Sequence, residues 1–353
     1  MRVETLPAVP GLGGLYGKGL AASGRLMMTR RLPGGGASDL ALPDVAYRVA
    51  GVATGDDAAP GAVGSAAHLA RYAQVVGEAP SEHLPAGYLH VLGFPLATAL
   101  MVRGDFPLSL LGMVHLANAV SLVRPVRLGD TLEVRAWAQD LRPHRKGVQV
   151  DLVTEISVER TDDERAAGVG LPATTFAYRG VSTYLAKGTR LPDDSAGRTP
   201  EAHRDTGRDA QTFQPPLPTA RWSLDGGTGR AYAAVSGDRN PIHTSALGAK
   251  AFGFPRAIAH GMYTAARALA ESGAGRGETY DWTVSFAKPA LLPSTVDVAI
   301  RPAADASARG RQDVEQVEAP VPDGAGDPRT GLTYVAWDRA GRPHLSGRVA
   351  PRP

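Results

Sequence analysis

The sequence contains no cysteine, which excludes disulfide frameworks, thiolate metal sites and cysteine nucleophiles together. Aromatic residues make up only 6%, and no basic run is interleaved with them, so the stacking platforms of single-strand nucleic-acid binders are missing. Charge of one sign is also scarce. The 38 Lys and Arg nearly balance the 35 Asp and Glu, leaving +3. That surplus is a weak nucleic-acid signal but suits a phosphorylated small ligand. No apolar stretch reaches the ~18–20 residues that cross a bilayer. The run Val91 to Val102 is interrupted by Gly93 and Pro95 and stopped by Arg103 and Asp105. The segment from Met1 to about Gly36 lacks the apolar centre and cleavage site of a signal peptide. A cytoplasmic protein with neither nucleic-acid nor membrane partners is expected.

What is present is enough for a packed core. The 353 residues are 43% hydrophobic, a length that suggests two domains. The 42 glycines and 28 prolines form about a fifth of the chain, below the ~25–30% of low-complexity sequence. Four stretches read as loops or linkers: Ala53 to Ala67, Arg160 to Pro172, Thr189 to Pro218 and Ala303 to Gly331. Thr189 to Pro218 is the best domain boundary, and Ala303 to Gly331 reads as an insertion between two strands. Leu132 to Gln139, Val148 to Ile156 and Thr295 to Ile300 alternate apolar and polar residues as strands do. Ala257 to Glu271 reads as a helix with Gly261 near its start, and Phe94 to Val102 as a shorter one with Pro95 in its first turn.

The chain also repeats itself. Tyr72, Val75, Gly77 and Glu78 lie over Tyr232, Val235, Gly237 and Asp238 at one constant offset, which also brings His83 onto His243. Further on, Arg124-Pro125 and the strand beginning at Leu132 lie over Lys288-Pro289 and the strand beginning at Val296. Between these blocks His90 matches His260. Each copy therefore reads as a short helix, an overhanging segment, a long helix and several antiparallel strands. This predicts an α+β arrangement in which a helix is wrapped by a sheet.

Only the second copy keeps a full reactive set. Tyr232 is followed by Ser236-Gly237-Asp238-Arg239-Asn240-Pro241-Ile242-His243, and then by His260-Gly261-Met262. Pro241 disfavours helical geometry at Asn240, so the Asp238 to His243 segment is an irregular overhang that can turn both side chains to one point. A histidine near its ordinary pKa of ~6.5 exchanges protons at neutral pH, and a neighbouring carboxylate orients it. Asn240 can fix one of these groups without adding charge, and Gly237 permits a tight turn. If the long helix opens at His260-Gly261, its unpaired first-turn N–H groups face outward.

This motif resembles the MaoC-like, or hydratase 2, family of double-hotdog enoyl-thioester hydratases and 3-hydroxyacyl-thioester dehydratases. The resemblance extends to the first half through Leu42-Pro-Asp-Val-Ala-Tyr, Leu84-Pro-Ala-Gly-Tyr and Leu122-Val-Arg-Pro. It implies an α+β double hotdog with residues 1–40 as an extension, 41–188 as a degenerate hotdog, 189–218 as a linker and 219–353 as the catalytic hotdog. It also implies a hydro-lyase acting on acyl-CoA or acyl-carrier-protein thioesters with no cofactor, its two units forming a pseudo-dimer within one chain. Asp238 and His243 become the catalytic pair, and Gly261 N–H the oxyanion donor. Asn240 and Ser236 become substrate-side residues. Which of the pair moves which proton stays open, as does whether Ser236 touches substrate or only shapes the turn.

Each of these positions also has a blander reading. Gly-Asp followed by Asn-Pro is by itself a common surface turn; the spaced His243 and Gly261 tip it towards catalysis. His260 reads as a packing or capping residue, because its counterpart His90 sits in a copy without the motif. Glu78 and His83 repeat the acid–histidine spacing, but Pro80 and Ser81 replace the Asn-Pro, so the first copy is expected to be inactive. A metal site is not expected, since Asp238 and His243 are not at helical ligand spacing. The glycines at Gly11 to Gly17 miss the dinucleotide fingerprint because Tyr16 takes the last glycine's place. Two other functions remain: a hotdog thioesterase, and a non-catalytic acyl-binding partner of a dehydratase complex.

Overall fold

The computed structural model describes residues 1–19, 40–160, 172–191, 213–304 and 330–352. Most of the expected linker 189–218 and of the insertion 303–331 lies outside these residues, as does the loop 161–171. The strands are β1 (Arg2–Thr5), β2 (Val45–Val52), β3 (Met113–Leu122), β4 (Leu132–His144), β5 (Gly147–Glu159), β6 (Thr174–Lys187), β7 (Ala220–Leu224), β8 (Tyr280–Phe286), β9 (Ser294–Pro302), β10 (Leu332–Asp338) and β11 (Pro343–Pro351). They form one sheet in the order β1-β2-β4-β5-β6-β3-β8-β11-β10-β9-β7.

The sheet explains the sequence repeat. Reading outward from the central antiparallel β3–β8 pair, one side runs β6, β5, β4, β2 and the other β11, β10, β9, β7. The two halves have the same topology, which is a double hotdog, with β1 added in parallel on the edge of β2. The three stretches that alternate in sequence fall within β4, β5 and β9. In β4, Leu132, Val134 and Ala136 are fully buried while Glu133, Arg135 and Trp137 take the other face, the pattern of a strand with one covered side.

Each half wraps a helix. The short helices Ala66–Val76 and Thr228–Ser236 both end on a glycine in the left-handed region, Gly77 at φ 75° and Gly237 at φ 74°. Tyr72 and Tyr232 meet between them with ring centroids 6.5 Å apart. The repeated Tyr and Gly are thus a packing residue and a helix stop.

The long helices correct two expectations. The first is Ala86–Met101 rather than Phe94 to Val102, with Pro85 at its N-cap and Pro95 in its interior. Interior proline costs ~3 kcal/mol, but Leu89, Leu92, Leu96 and Leu100 are each at most 2% exposed, and burying each contributes ~1.5–3 kcal/mol. Gly93 is required by close packing: a Cβ there would lie 2.3 Å from Thr154 Cγ2 on β5. The second helix is Gly261–Glu271. Residues 257–260 are extended instead, with Ala259 N–H bonded to Ala290 O at 2.8 Å, so the helix opens beside the overhang.

Candidate active site

The turn carrying Asp238 is built from local hydrogen bonds. Ser236 Oγ donates to Tyr232 O at 2.8 Å and accepts the Asp238 N–H at 3.2 Å. Gly237 reverses the chain. The Asn240 N–H donates to Asp238 Oδ1 at 3.1 Å, and Asn240 Oδ1 accepts the Ile242 N–H at 3.3 Å. Asn240 thereby caps the one-turn helix Pro241–Thr244, which has Pro241 in its first turn and carries His243. The overhang is irregular only over 237–240. Ser236 and Asn240 spend their side-chain oxygens on this turn.

Backbone carbonyls fix both histidine tautomers. His243 Nδ1 lies 2.9 Å from Ile258 O. A carbonyl can only accept, so Nδ1 carries the proton and Nε2 keeps its lone pair. His260 Nε2 lies 2.9 Å from Asp238 O and donates to it in the same way. The two rings stack with centroids 3.7 Å apart and an interplanar angle of 25°. His260, 3% exposed, is the prop on which His243 and the Asp238 backbone rest.

The electrostatics favour an ionised acid beside neutral imidazoles. Burial alone would raise the Asp238 pKa, but neighbouring His260 and His243, the Tyr16 hydroxyl and the Asn240 N–H outweigh it and hold the carboxyl below its usual range. Burial lowers His243, against the opposing pull of Asp238 and the Ile258 carbonyl. Burial and the adjacent His243 lower His260 to about 3. At neutral pH the site therefore holds a carboxylate and an imidazole with a free lone pair.

These groups face a cavity of about 360 Å³ that draws its walls from both halves. Apolar Val91, Phe94, Met101 and Met113 come from the first half, and Asp238, His243 and Gly261 from the second. The first-turn N–H of Gly261 has no carbonyl four residues earlier in its helix to receive it. Gly261 lines the cavity with backbone alone. In the structure its missing Cβ also makes room for Phe286, whose ring atoms would lie 3.0–3.2 Å from it.

One donor atom each from Asp238, His243 and His260 lies within 4.8 Å of the others, so the cluster is compact enough for a cation. The His260 nitrogen nearest the carboxylate, Nε2, however, already donates to Asp238 O, so it offers no lone pair to an ion.

The first copy uses the matching residues differently. Glu78 forms a two-pronged ion pair with Arg276 at 2.9 Å, and His83 Nδ1 lies 3.8 Å from Glu278. His90, the counterpart of His260, lines the shared cavity with His115 and Tyr184.

One contact was missed by sequence reasoning. Residues 12–19 are helical, and Tyr16 OH donates a short hydrogen bond to Asp238 Oδ1. A separation of 222 residues gives this pairing no local signal.

Comparisons with known proteins bear on the family and the fold. Residues 209–321 match the MaoC like domain. The 3-hydroxyacyl-thioester dehydratase X of Mycobacterium tuberculosis is 36% identical over 229 residues, covering 65% of this chain and 74% of that protein. The crystal structure of HtdX from the same organism aligns at a TM-score of 0.62 and 30% identity, covering 87% of this chain and 100% of that one. A MaoC-like dehydratase with 15% identity shares the fold at a TM-score of 0.57, over 87% of this chain and 98% of its own.

Proposed function

We propose that this chain, which belongs to the MaoC-like dehydratase family, is a hydro-lyase that interconverts trans-2-enoyl and (3R)-3-hydroxyacyl thioesters, using Asp238 and His243 as its acid–base pair. The observation that carries this reading is the convergence of an ionised carboxylate, an imidazole lone pair and a helix-opening N–H on one cavity. In this reading residues 41–188 are the degenerate unit, 219–353 the catalytic one, and 189–218 the linker.

In the hydration direction, a water held between Asp238 and His243 Nε2 gives a proton to the imidazole as its oxygen bonds to C3. The C2–C3 π electrons move onto the thioester oxygen, which the Gly261 N–H stabilises as an enolate. The resulting imidazolium keeps its Nδ1–H on Ile258 O, is stabilised by Asp238, and returns the proton to C2. Dehydration runs the same steps backwards. Positioned acid–base groups of this kind contribute ~10²–10⁴-fold, and losing an oxyanion donor costs about 2.7–4 kcal/mol. Ser236 and Asn240 act in this scheme by shaping the turn that aims the pair.

The carrier is coenzyme A or an acyl carrier protein, and the apolar first-half wall takes the acyl chain. Product analysis tests the reaction class. Incubation with a trans-2-enoyl-CoA should remove the conjugated absorbance without releasing free thiol. Thiol release at the same rate would instead identify a thioesterase, and acyl-CoA binding without turnover a non-catalytic acyl-binding partner of a dehydratase complex.

A further inference from the structure

The N-terminal segment reaches across the fold to the reacting carboxylate. Its helical residues 12–19 place Leu12 against Gly237, where an added Cβ would lie 2.6 Å from Leu12 Cδ1. One turn further, Tyr16 lines the cavity and donates its hydroxyl proton to Asp238 Oδ1. That oxygen also receives the Asn240 N–H at 3.1 Å, so it holds two donors. The other oxygen, Oδ2, has His260 Nε2 at 3.8 Å, beyond hydrogen-bond range, and His260 already donates to a carbonyl. One oxygen is therefore anchored, and the other is left for a water.

We propose that Tyr16 is a positioning residue of the active site: its hydroxyl locks the rotation of the Asp238 carboxylate so that Oδ2 faces the attacking water, making the N-terminal segment part of the catalytic unit. This rests on the dehydratase reading above. Burial and the adjacent Asp238 both push the phenol pKa up, so Tyr16 stays a proton donor throughout the working pH range. A hydrogen bond from a neutral phenol restrains the carboxylate without neutralising it, which an Arg or Lys at the same place would not do. Gly237, held in the left-handed conformation that ends its helix, also leaves space that Leu12 fills.

The test is a double-mutant cycle on the full chain with an enoyl-CoA substrate. Tyr16→Phe removes one oxygen atom and is expected to lower kcat about tenfold or more, the scale of a hydrogen bond to a charged group. KM should change less than kcat, and the melting temperature should stay close to wild type. In an Asp238→Asn background the same change should cost little further, because Tyr16 acts through the carboxylate. Unchanged or increased turnover in Tyr16→Phe would overturn the proposal, the increase marking a plug rather than a support. An equal loss in both backgrounds would overturn it too, since Tyr16 would then act through the fold. Were Tyr16→Phe to lose its cooperative melt, Leu12→Ala takes its place in the cycle, loosening the segment while keeping the hydroxyl; the same coupling to Asp238 is expected, and full additivity would count against it. A wild-type chain inert towards enoyl thioesters would defeat the dehydratase reading itself, an outcome distinct from an active enzyme indifferent to Tyr16.

Discussion

Replacing Gly261 by alanine separates the helix-opening N–H from the rest of the site. The new Cβ would lie 3.0, 3.1 and 3.2 Å from three ring atoms of Phe286, so the ring or the helix start must give by a few tenths of an ångström. Phe286 closes β8 and packs against His115 with centroids 5.0 Å apart, which limits its retreat. Overpacking of this kind costs ~1–3 kcal/mol, while replacing glycine at a helix position returns up to ~1 kcal/mol. The net loss of about 0–2 kcal/mol corresponds to a fall in melting temperature of only a few degrees at ~2–4 °C per kcal/mol. Catalysis should suffer more. The displaced ring enters the cavity and the N–H shifts with the backbone, so part of the ~2.7–4 kcal/mol of an oxyanion donor is lost, a fall in kcat of roughly 10- to 100-fold. Loss of enoyl absorbance, followed alongside thermal melting, reads both effects. Turnover within about threefold of wild type in a folded Gly261→Ala protein would remove the Gly261 N–H from the mechanism.

Other expectations follow from the same geometry. The acid limb of kcat/KM should fall below pH ~6.5, the ordinary histidine value: His243 is lowered by burial, so its imidazole stays unprotonated, and active as a base, until the pH drops through that lowered pKa. A limb above the ordinary value would contradict the assigned environment. Glu78→Gln should leave hydration unchanged yet lower the melting temperature, because it strands the mostly buried Arg276; breaking a buried pair costs about 3–5 kcal/mol. A loss of turnover without a loss of stability would instead give the first copy a catalytic part.

Much of this architecture was legible because the chain states it twice. Tyr72 with Gly77 and Tyr232 with Gly237 repeat since both halves need the same helix packing and the same left-handed stop. The Asp238 to His243 spacing was legible because its turn is made by neighbours: Ser236, Gly237, Asn240 and Pro241 bond or bend within a few residues. The first long helix was misread because Gly93 and Pro95 signal a break only where burial does not outweigh them, and here Leu89, Leu92, Leu96 and Leu100 do. Tyr16 was seen in the sequence only as a residue spoiling a glycine motif. Its partner lies across the fold, and a tertiary hydrogen bond leaves no periodic trace.

The acid–base pair can be tested most directly by measuring hydration of one enoyl-CoA with the wild-type chain, Asp238→Asn and His243→Ala under identical conditions. Asp238→Asn can still accept the Asn240 N–H, whereas His243→Ala gives up the bond to Ile258 O; each folded variant is expected to turn over at least ~10²-fold more slowly. Hydration close to the wild-type rate in either folded variant would contradict the account.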